Sequence, residues 1–148
     1  MAKNTSKPMR YLAIDYGKKK LGLAVCDKNQ TICSPLACIT GNNNIFIDKI
    51  IEVIKKEDVD AIVLGLPFNM DGSKGFQAGF VTDFAESLKK KINIPIYFQD
   101  ERLSTFAAEE KIASIDLKRA KKKKLIDSIA AANILESFLE EKRQNHPD

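Results

Sequence analysis

Two rhythms of apolar residues run along this chain, one with the period of strands and one with the period of helices. Tyr11, Leu12, Ala13 and Ile14 form a short apolar run closed by Asp15-Tyr16-Gly17, which predicts a strand followed directly by a turn. Residues 21–26 and 32–39 predict two more strands, with polar residues 27–30 between them as a hairpin loop. Pro35 would have to sit at an edge or a bulge of the third strand, because it has no N–H to give a ladder. After Gly41 and three asparagines, Ile47, Ile50, Ile51 and Ile54 recur at helical spacing, so a helix is expected through Lys56 with an asparagine as its cap.

Residues 61–64 are wholly apolar, as suits a central strand covered on both faces. Phe76, Phe80, Phe84 and Leu88 stand four apart, which predicts a second helix from Gly75 or Phe76 with this stripe in the core. A further strand is expected over 94–98, a short helix over 104–113 and a last helix over about 123–142. Three hairpin-joined strands followed by alternating helices and strands imply an α/β fold. Its mixed five-stranded sheet would carry helices on both faces, in the element order of an RNase H-like domain. One domain over 9–142 is expected, flanked by polar tails at 1–8 and 143–148.

The 148 residues are 44% hydrophobic and 30% charged, a globular balance. No apolar run approaches the ~18 residues of a membrane span, and the first residues lack the apolar stretch of a secretory signal. A cytoplasmic protein is the expectation. Cys26, Cys33 and Cys38 make no C-x-x-C pair, so neither a disulfide framework nor a cysteine zinc site is expected; they read as small core residues. The one histidine, His146, lies in the polar C-terminal stretch, which removes Ser-His-Asp and Cys-His chemistry and disfavours catalytic zinc. Gly17 to Gly22 begins like a phosphate-binding P-loop, but Leu23-Ala24 stand where Lys-Ser/Thr is required.

Carboxylates, lysines, hydroxyls or a bound metal are what remains. Asp15 follows the first strand, and Glu101 follows the last, next to Asp100; if those strands were neighbours the acids could meet. Asp127 is in line with Ala130, Ala131, Ile134 and Phe138 on one face of its helix. Burying an unpaired acid there costs several kcal/mol, so something must compensate. An acid near a helix N-terminus can also simply answer the helix dipole. Three carboxylates without histidine suit a hard cation, Mg²⁺ or Mn²⁺, which lowers the pKa of bound water and stabilises the leaving oxygen of a phosphodiester. Net charge is only +4, yet Lys18, Lys19 and Lys20 form one cluster and Lys118, Arg119, Lys121, Lys122, Lys123 and Lys124 a denser one. Such clusters suit a polyanion, although charge alone favours the plainer reading of a solvated loop and helix start. The glycine-containing loop 65–75 leads into a helix N-terminus, where backbone N–H groups could receive phosphate, or it is a plain connection.

Four segments, AIDYGKKKLGLA (13–24), VLGLPFNMDGSKGFQA (63–78), DERLST (100–105) and IDSIAAANILESFL (126–139), together resemble the YqgF/RuvX family in content and order. These are bacterial RNase H-like proteins linked to pre-16S rRNA processing and earlier to Holliday junction resolution. The resemblance implies Asp15 and Asp127 as metal ligands, with the third in the Asp-Glu-Arg block. Glu101 is chosen over Asp100 because side chains alternate across a strand, so only one of the two faces the site. Arg102 of that block joins the lysines as an expected nucleic-acid contact. Lys20 stands where arginine is usual in the family, which keeps the charge but loses the planar fork; Ala13 stands where glycine is common.

The resemblance thus implies a metal-dependent nuclease acting on pre-16S rRNA, with the small-subunit precursor as a partner, no membrane, and a monomer or weak homodimer. Two alternatives stand beside it: a resolvase of four-way junction DNA, and a non-catalytic RNA-binding assembly factor. An ATP-binding domain of the actin type is disfavoured, since 148 residues leave no second domain to enclose a nucleotide.

Overall fold

The computed structural model describes residues 9–66, 76–100 and 119–145, with side chains over 9–66, 78–100 and 128–144. Strands β1 (Tyr11–Tyr16), β2 (Lys20–Cys26) and β3 (Cys33–Thr40) lead into helix α1 (Asn43–Glu57), and β4 (Ala61–Leu66) follows. Helix α2 (Phe76–Lys89), β5 (Ile96–Asp100) and helix α3 (Arg119–Asn145) complete the described elements. The five strands form one sheet in the order β3-β2-β1-β4-β5. Pairs β1–β2 and β2–β3 are antiparallel, and β1–β4 and β4–β5 are parallel. The expected mixed five-stranded sheet with helices on both faces is what forms.

Each face has its own core. Leu12 and Ile14 of β1 and Ile62 and Leu64 of β4 point to one side, where Phe46, Ile50, Phe84 and Leu88 of α1 and α2 cover them. Tyr11, Ala13, Ala61 and Val63 point to the other, under Ala131, Ile134, Leu135 and Leu139 of α3. All six residues of β4 are buried, which explains its continuous apolar run. The register of β2 and β3 shifts between Leu23 and Ala24, so Pro35 lies at a bulge on an edge strand as anticipated.

Three boundaries and one packing expectation need correction. The first strand runs on to Tyr16, so Asp15 is inside it and not in a turn after it. The last helix begins at Arg119 and reaches Asn145, longer at both ends than its apolar face, because lysine and arginine have good intrinsic helix propensity. The last strand is shifted, to Ile96–Asp100. Of the phenylalanine stripe, Phe84 and Leu88 are buried, whereas Phe80 is half-buried with the Lys18 ammonium 4.0 Å above its ring. Phe80 lies one turn nearer the start of α2 than Phe84, and the lysine cation takes one face of its half-exposed ring. The expected helix over 104–113 lies outside the described residues.

Arg10 fastens the end of the sheet away from Asp15. Its Nε donates to the Cys26 carbonyl at 2.8 Å and its Nη1 to the Glu57 carbonyl at 2.7 Å, while Nη2 is 3.3 Å from the Glu57 carboxylate. One guanidinium thus ties β2 to the C-terminus of α1. Arg10→Ala should cost about 2 kcal/mol, the scale of hydrogen bonds to a charged group, read as a lower urea midpoint at unchanged slope. An unchanged midpoint would mean that water replaces these bonds without loss.

Candidate active site

Asp15 is the fifth of six residues in β1, and alternation along the strand puts it on the face of Tyr11 and Ala13, the face that α3 covers. Its antiparallel partner is Gly22, whose own partner on β3 is Cys38. On the other side the register pairs Ile14 with Leu64, so one step further Gly65 comes level with Asp15, and Gly65 pairs with Gln99. The row through Asp15 therefore reads Cys38, Gly22, Asp15, Gly65, Gln99. Gly22 and Gly65, one on each flanking strand, add no side chain of their own to this row, and the acid itself is half-buried.

Helix α3 runs antiparallel to β1 over this face. The rings of Phe138 and Tyr11 meet edge-on at 5.2 Å, near the start of β1. From Phe138 back to Asp127 is eleven residues (138 − 127), or roughly 16 Å of helix. From Tyr11 to Asp15 is four residues (15 − 11), or roughly 13 Å of strand. The backbone at Asp127 therefore lies towards the same end of the sheet as Asp15. Ala130, Ala131 and Ala132 are nearly fully buried, so small side chains set the close approach of α3 to the sheet in this stretch. Asp127 is one turn ahead of Ala131 and two ahead of Ile134, in line with the buried stripe. Its side chain lies outside the described residues.

The first and last strands are not neighbours: β4 lies between β1 and β5. The reason is burial, since β4 is the most apolar strand and takes the position covered on both faces. Acids at the ends of β1 and β5 are thus two strand spacings apart, roughly 10 Å between backbones, and a bridge between them has to cross Gly65. The pleat also separates the two acids of the Asp-Glu-Arg block. Asp100 pairs with Leu66 and shares the face of Leu64 and Phe98, opposite to that of Asp15. Glu101 and Arg102 lie outside the described residues.

The lysines of the first cluster stand at the sheet end where β1 finishes. Lys18 and Lys19 are exposed in the β1–β2 turn, and Lys20 opens β2 half-buried. The Lys19 carbonyl accepts from Gly41 N–H at 3.1 Å, and the Tyr16 hydroxyl donates to Asn43 Oδ1 at 2.7 Å, tying this turn to the start of α1. In the second cluster, Arg119 and Lys121 to Lys124 occupy the first turns of α3, ahead of Asp127, with their side chains outside the described residues; Lys118 lies outside them altogether. The glycine-containing loop 65–75 is described only at Gly65 and Leu66, the last residues of β4.

Sequence reading missed Gln99. It is 6% exposed, a buried carboxamide in the row of Asp15. Its signal was the alternation of β5, which becomes readable only once the register is known. Among the described residues no three His, Cys, Asp or Glu side chains gather as a metal cluster, since Asp15 is the one expected ligand whose side chain is described. A donor set of three carboxylates, all oxygen, is of the kind that fits a hard divalent cation.

The sheet order, the acid on the first strand and the long helix crossing that face define an RNase H-like fold. Solved structures similar in fold include *T. thermophilus* RuvC in complex with Holliday junction substrate, with a TM-score of 0.58 at 18% identity over 90% of this chain and 96% of that one. The Fowlpox virus resolvase with its substrate Holliday junction DNA gives 0.55 at 14% identity, over 90% and 98%. The chain belongs to the RuvX family, whose model, described as Holliday junction resolvase, matches residues 9–141. A relative from Rickettsia peacockii (strain Rustic), named "Putative pre-16S rRNA nuclease", is 43% identical over 130 residues, 87% of this chain and 84% of its own. One of the same name from Roseiflexus sp. (strain RS-1) is 37% identical over 140 residues, 94% and 99%. The protein is accordingly a nuclease. Among the described residues no helix is long and apolar enough to cross a membrane.

Proposed function

We propose that this protein is a cytoplasmic, divalent-metal-dependent nuclease that processes the 5′ end of pre-16S rRNA during ribosome biogenesis. The observation that carries the chemistry is Asp15 standing between two glycines on the face crossed by α3, at the end towards which Asp127 lies. Asp15, Glu101 and Asp127 would hold Mg²⁺ or Mn²⁺, with Glu101 favoured over Asp100 because the pleat turns Asp100 to the other face. When bound, such ions supply an activated water and stabilise the leaving oxygen. Asp15 would hold the cation from β1, and Asp127 would do so from α3. Lys18 and Lys19, exposed at the same end, would hold flanking phosphates, and Lys20, Arg102, Lys118, Arg119 and Lys121 to Lys124 would extend that grip. Such contacts position a backbone without reading its bases.

The relatives' names favour RNA, and the small-subunit precursor is the partner they imply. A compact single site favours it too, because a flexible single strand can bend into one site, whereas a four-way junction needs two sites at fixed separation. The protein would act as a monomer or weak homodimer. The family's description favours a second reading, a junction resolvase. The test incubates purified protein and Mn²⁺ or Mg²⁺ with a pre-16S fragment and a mobile junction at equal concentration. Metal-dependent cuts in the single-stranded RNA flank, with the junction intact, are expected. Symmetric junction cuts with the RNA untouched would establish the resolvase instead. RNA binding with no cleavage under either metal would leave a non-catalytic assembly factor.

A further inference from the structure

The antiparallel register of β2 and β3 sets Cys26 directly across from Cys33. Both thiols belong to the core under α3, Cys26 buried and Cys33 half-buried at its margin. At the hairpin end the Asp27 N–H donates to the Ile32 carbonyl at 3.1 Å, so Asp27 and Ile32 are a hydrogen-bonded pair. Hydrogen-bonded and non-hydrogen-bonded pairs alternate along an antiparallel ladder, which makes Cys26 and Cys33 the next, non-hydrogen-bonded pair. Cα atoms of such pairs are roughly 4.5 Å apart with side chains close, inside the roughly 4.4–6.8 Å that a disulfide spans. Cys38 stands across from Gly22, which offers no sulfur.

Access is provided by a cleft of about 780 Å³ between the hairpin and the C-terminal half of α3, lined by Cys33 with Gln30, Ile32, Glu136, Glu140 and Arg143. It lies at the end of the sheet away from Asp15. Three bonds from the Asp27 carboxylate fix the hairpin tip: it accepts from the Ile32 and Thr31 N–H groups and from the Thr31 hydroxyl, at 2.9, 2.7 and 2.7 Å. The Tyr11 N–H donates to Cys26 Sγ at 3.3 Å.

We propose that Cys26 and Cys33 are a thiol pair that closes to an intramolecular disulfide by exchange with a low-molecular-weight disulfide entering this cleft. Cys33 loses its proton to water and attacks one sulfur of the reagent, whose S–S bond breaks and whose first half leaves as a thiol. Cys26 then gives up its proton and attacks Cys33 in the mixed disulfide, forming the cross-strand bond and releasing the second half as a thiol. Two cysteines are oxidised and one disulfide is reduced to two thiols, so the exchange balances without another oxidant.

Burial pushes the Cys33 thiol up to about 12, helped by Cys26, Glu136 and Asp27 and opposed by Arg143. Burial likewise raises Cys26 and Asp27 adds to it, while the Tyr11 N–H and Arg10 pull it down. Exchange should therefore be slow near neutrality and accelerate about tenfold per pH unit as the thiolate fraction grows.

The test treats the folded full chain with cystamine, a small cationic disulfide suited to the cleft's glutamates, at neutral and mildly alkaline pH, followed by non-reducing digestion and mass spectrometry. Expected is the loss of two hydrogens, with the peptides of Cys26 and Cys33 joined, reversed by a reductant and unchanged in Cys38→Ser. Urea-unfolded protein should instead give a mixture of all three pairings. A cystamine adduct that persists on Cys33 without closing, no reaction at alkaline pH, or the same mixture from folded and unfolded protein would each overturn the proposal. None of these outcomes depends on nuclease activity.

Discussion

Asp15→Asn should reduce metal-dependent cleavage to below about one-hundredth of the wild-type rate and leave the melting temperature within a few degrees. Loss of a partner that merely orients a metal ligand commonly costs 10–100-fold, and removing a ligand should cost at least about that much. The carboxamide keeps size and shape, so β1 still pairs with Gly22 and the fold survives. What goes is the negative charge that a hard cation requires at a position where the flanking strands supply only glycine. Asp127→Asn and Glu101→Gln should behave alike, whereas Asp100→Asn should stay within severalfold of wild type because its side belongs to the opposite face. The check is single-turnover cleavage of a pre-16S fragment across a Mn²⁺ titration, beside a thermal melt of each variant. Near-normal turnover by the Asp15 or Asp127 variant would remove the metal-site assignment. Loss in Asp100→Asn with full activity in Glu101→Gln would exchange those two neighbours only.

Phe84→Ala should be the most damaging single core change, costing about 3–5 kcal/mol. Phe84 is fully enclosed on the α2 side of the sheet. Its ring stacks on Tyr16 at 4.4 Å between centroids and meets Phe46 edge-on at 6.4 Å, so truncation opens a void where α1, α2 and β1 converge. That loss takes a large share of the ~5–15 kcal/mol that holds an ordinary domain together. For a chain of this size each kcal/mol is worth about 2–4 °C, so a fall of roughly 10 °C in Tm is expected. Phe80→Ala, at a half-buried ring under the Lys18 ammonium, should cost clearly less, because part of the ring is in water before the change. Equal losses at the two positions would mean that the stripe is buried along its whole length.

That contrast shows where sequence reading stops. Spacing of four marks Phe80 and Phe84 as one stripe, and nothing local distinguishes them; the tertiary environment does, enclosing Phe84 and leaving Phe80 half-exposed with a lysine over its ring. Element types were legible because each carries its own period or breaker: continuous apolarity in β4, isoleucines at helical spacing in α1, Pro35 at an edge. Asp15, Glu101 and Asp127 stand out as candidates in the sequence, because a single histidine in a polar stretch removes imidazole chemistry and Asp127 is in line with an apolar face. Boundaries drifted where residues of good helix propensity carry an element past its apolar pattern, as with the lysines that extend α3 back to Arg119. The neighbour of β1 was not legible, because strand order is set by which strand gains most from cover on both faces. Nor was the row through Asp15, since Gly22, Gly65 and Gln99 are far apart in sequence and meet only through register. Sequence by itself therefore determined the secondary elements, the fold class and the kind of chemistry, all of which rest on local patterns and residue identity. Tertiary structure alone decided which faces Asp15 and Asp100 take, which strands flank Asp15 and that two cysteines oppose each other, because those depend on long-range pairing in a pleated sheet.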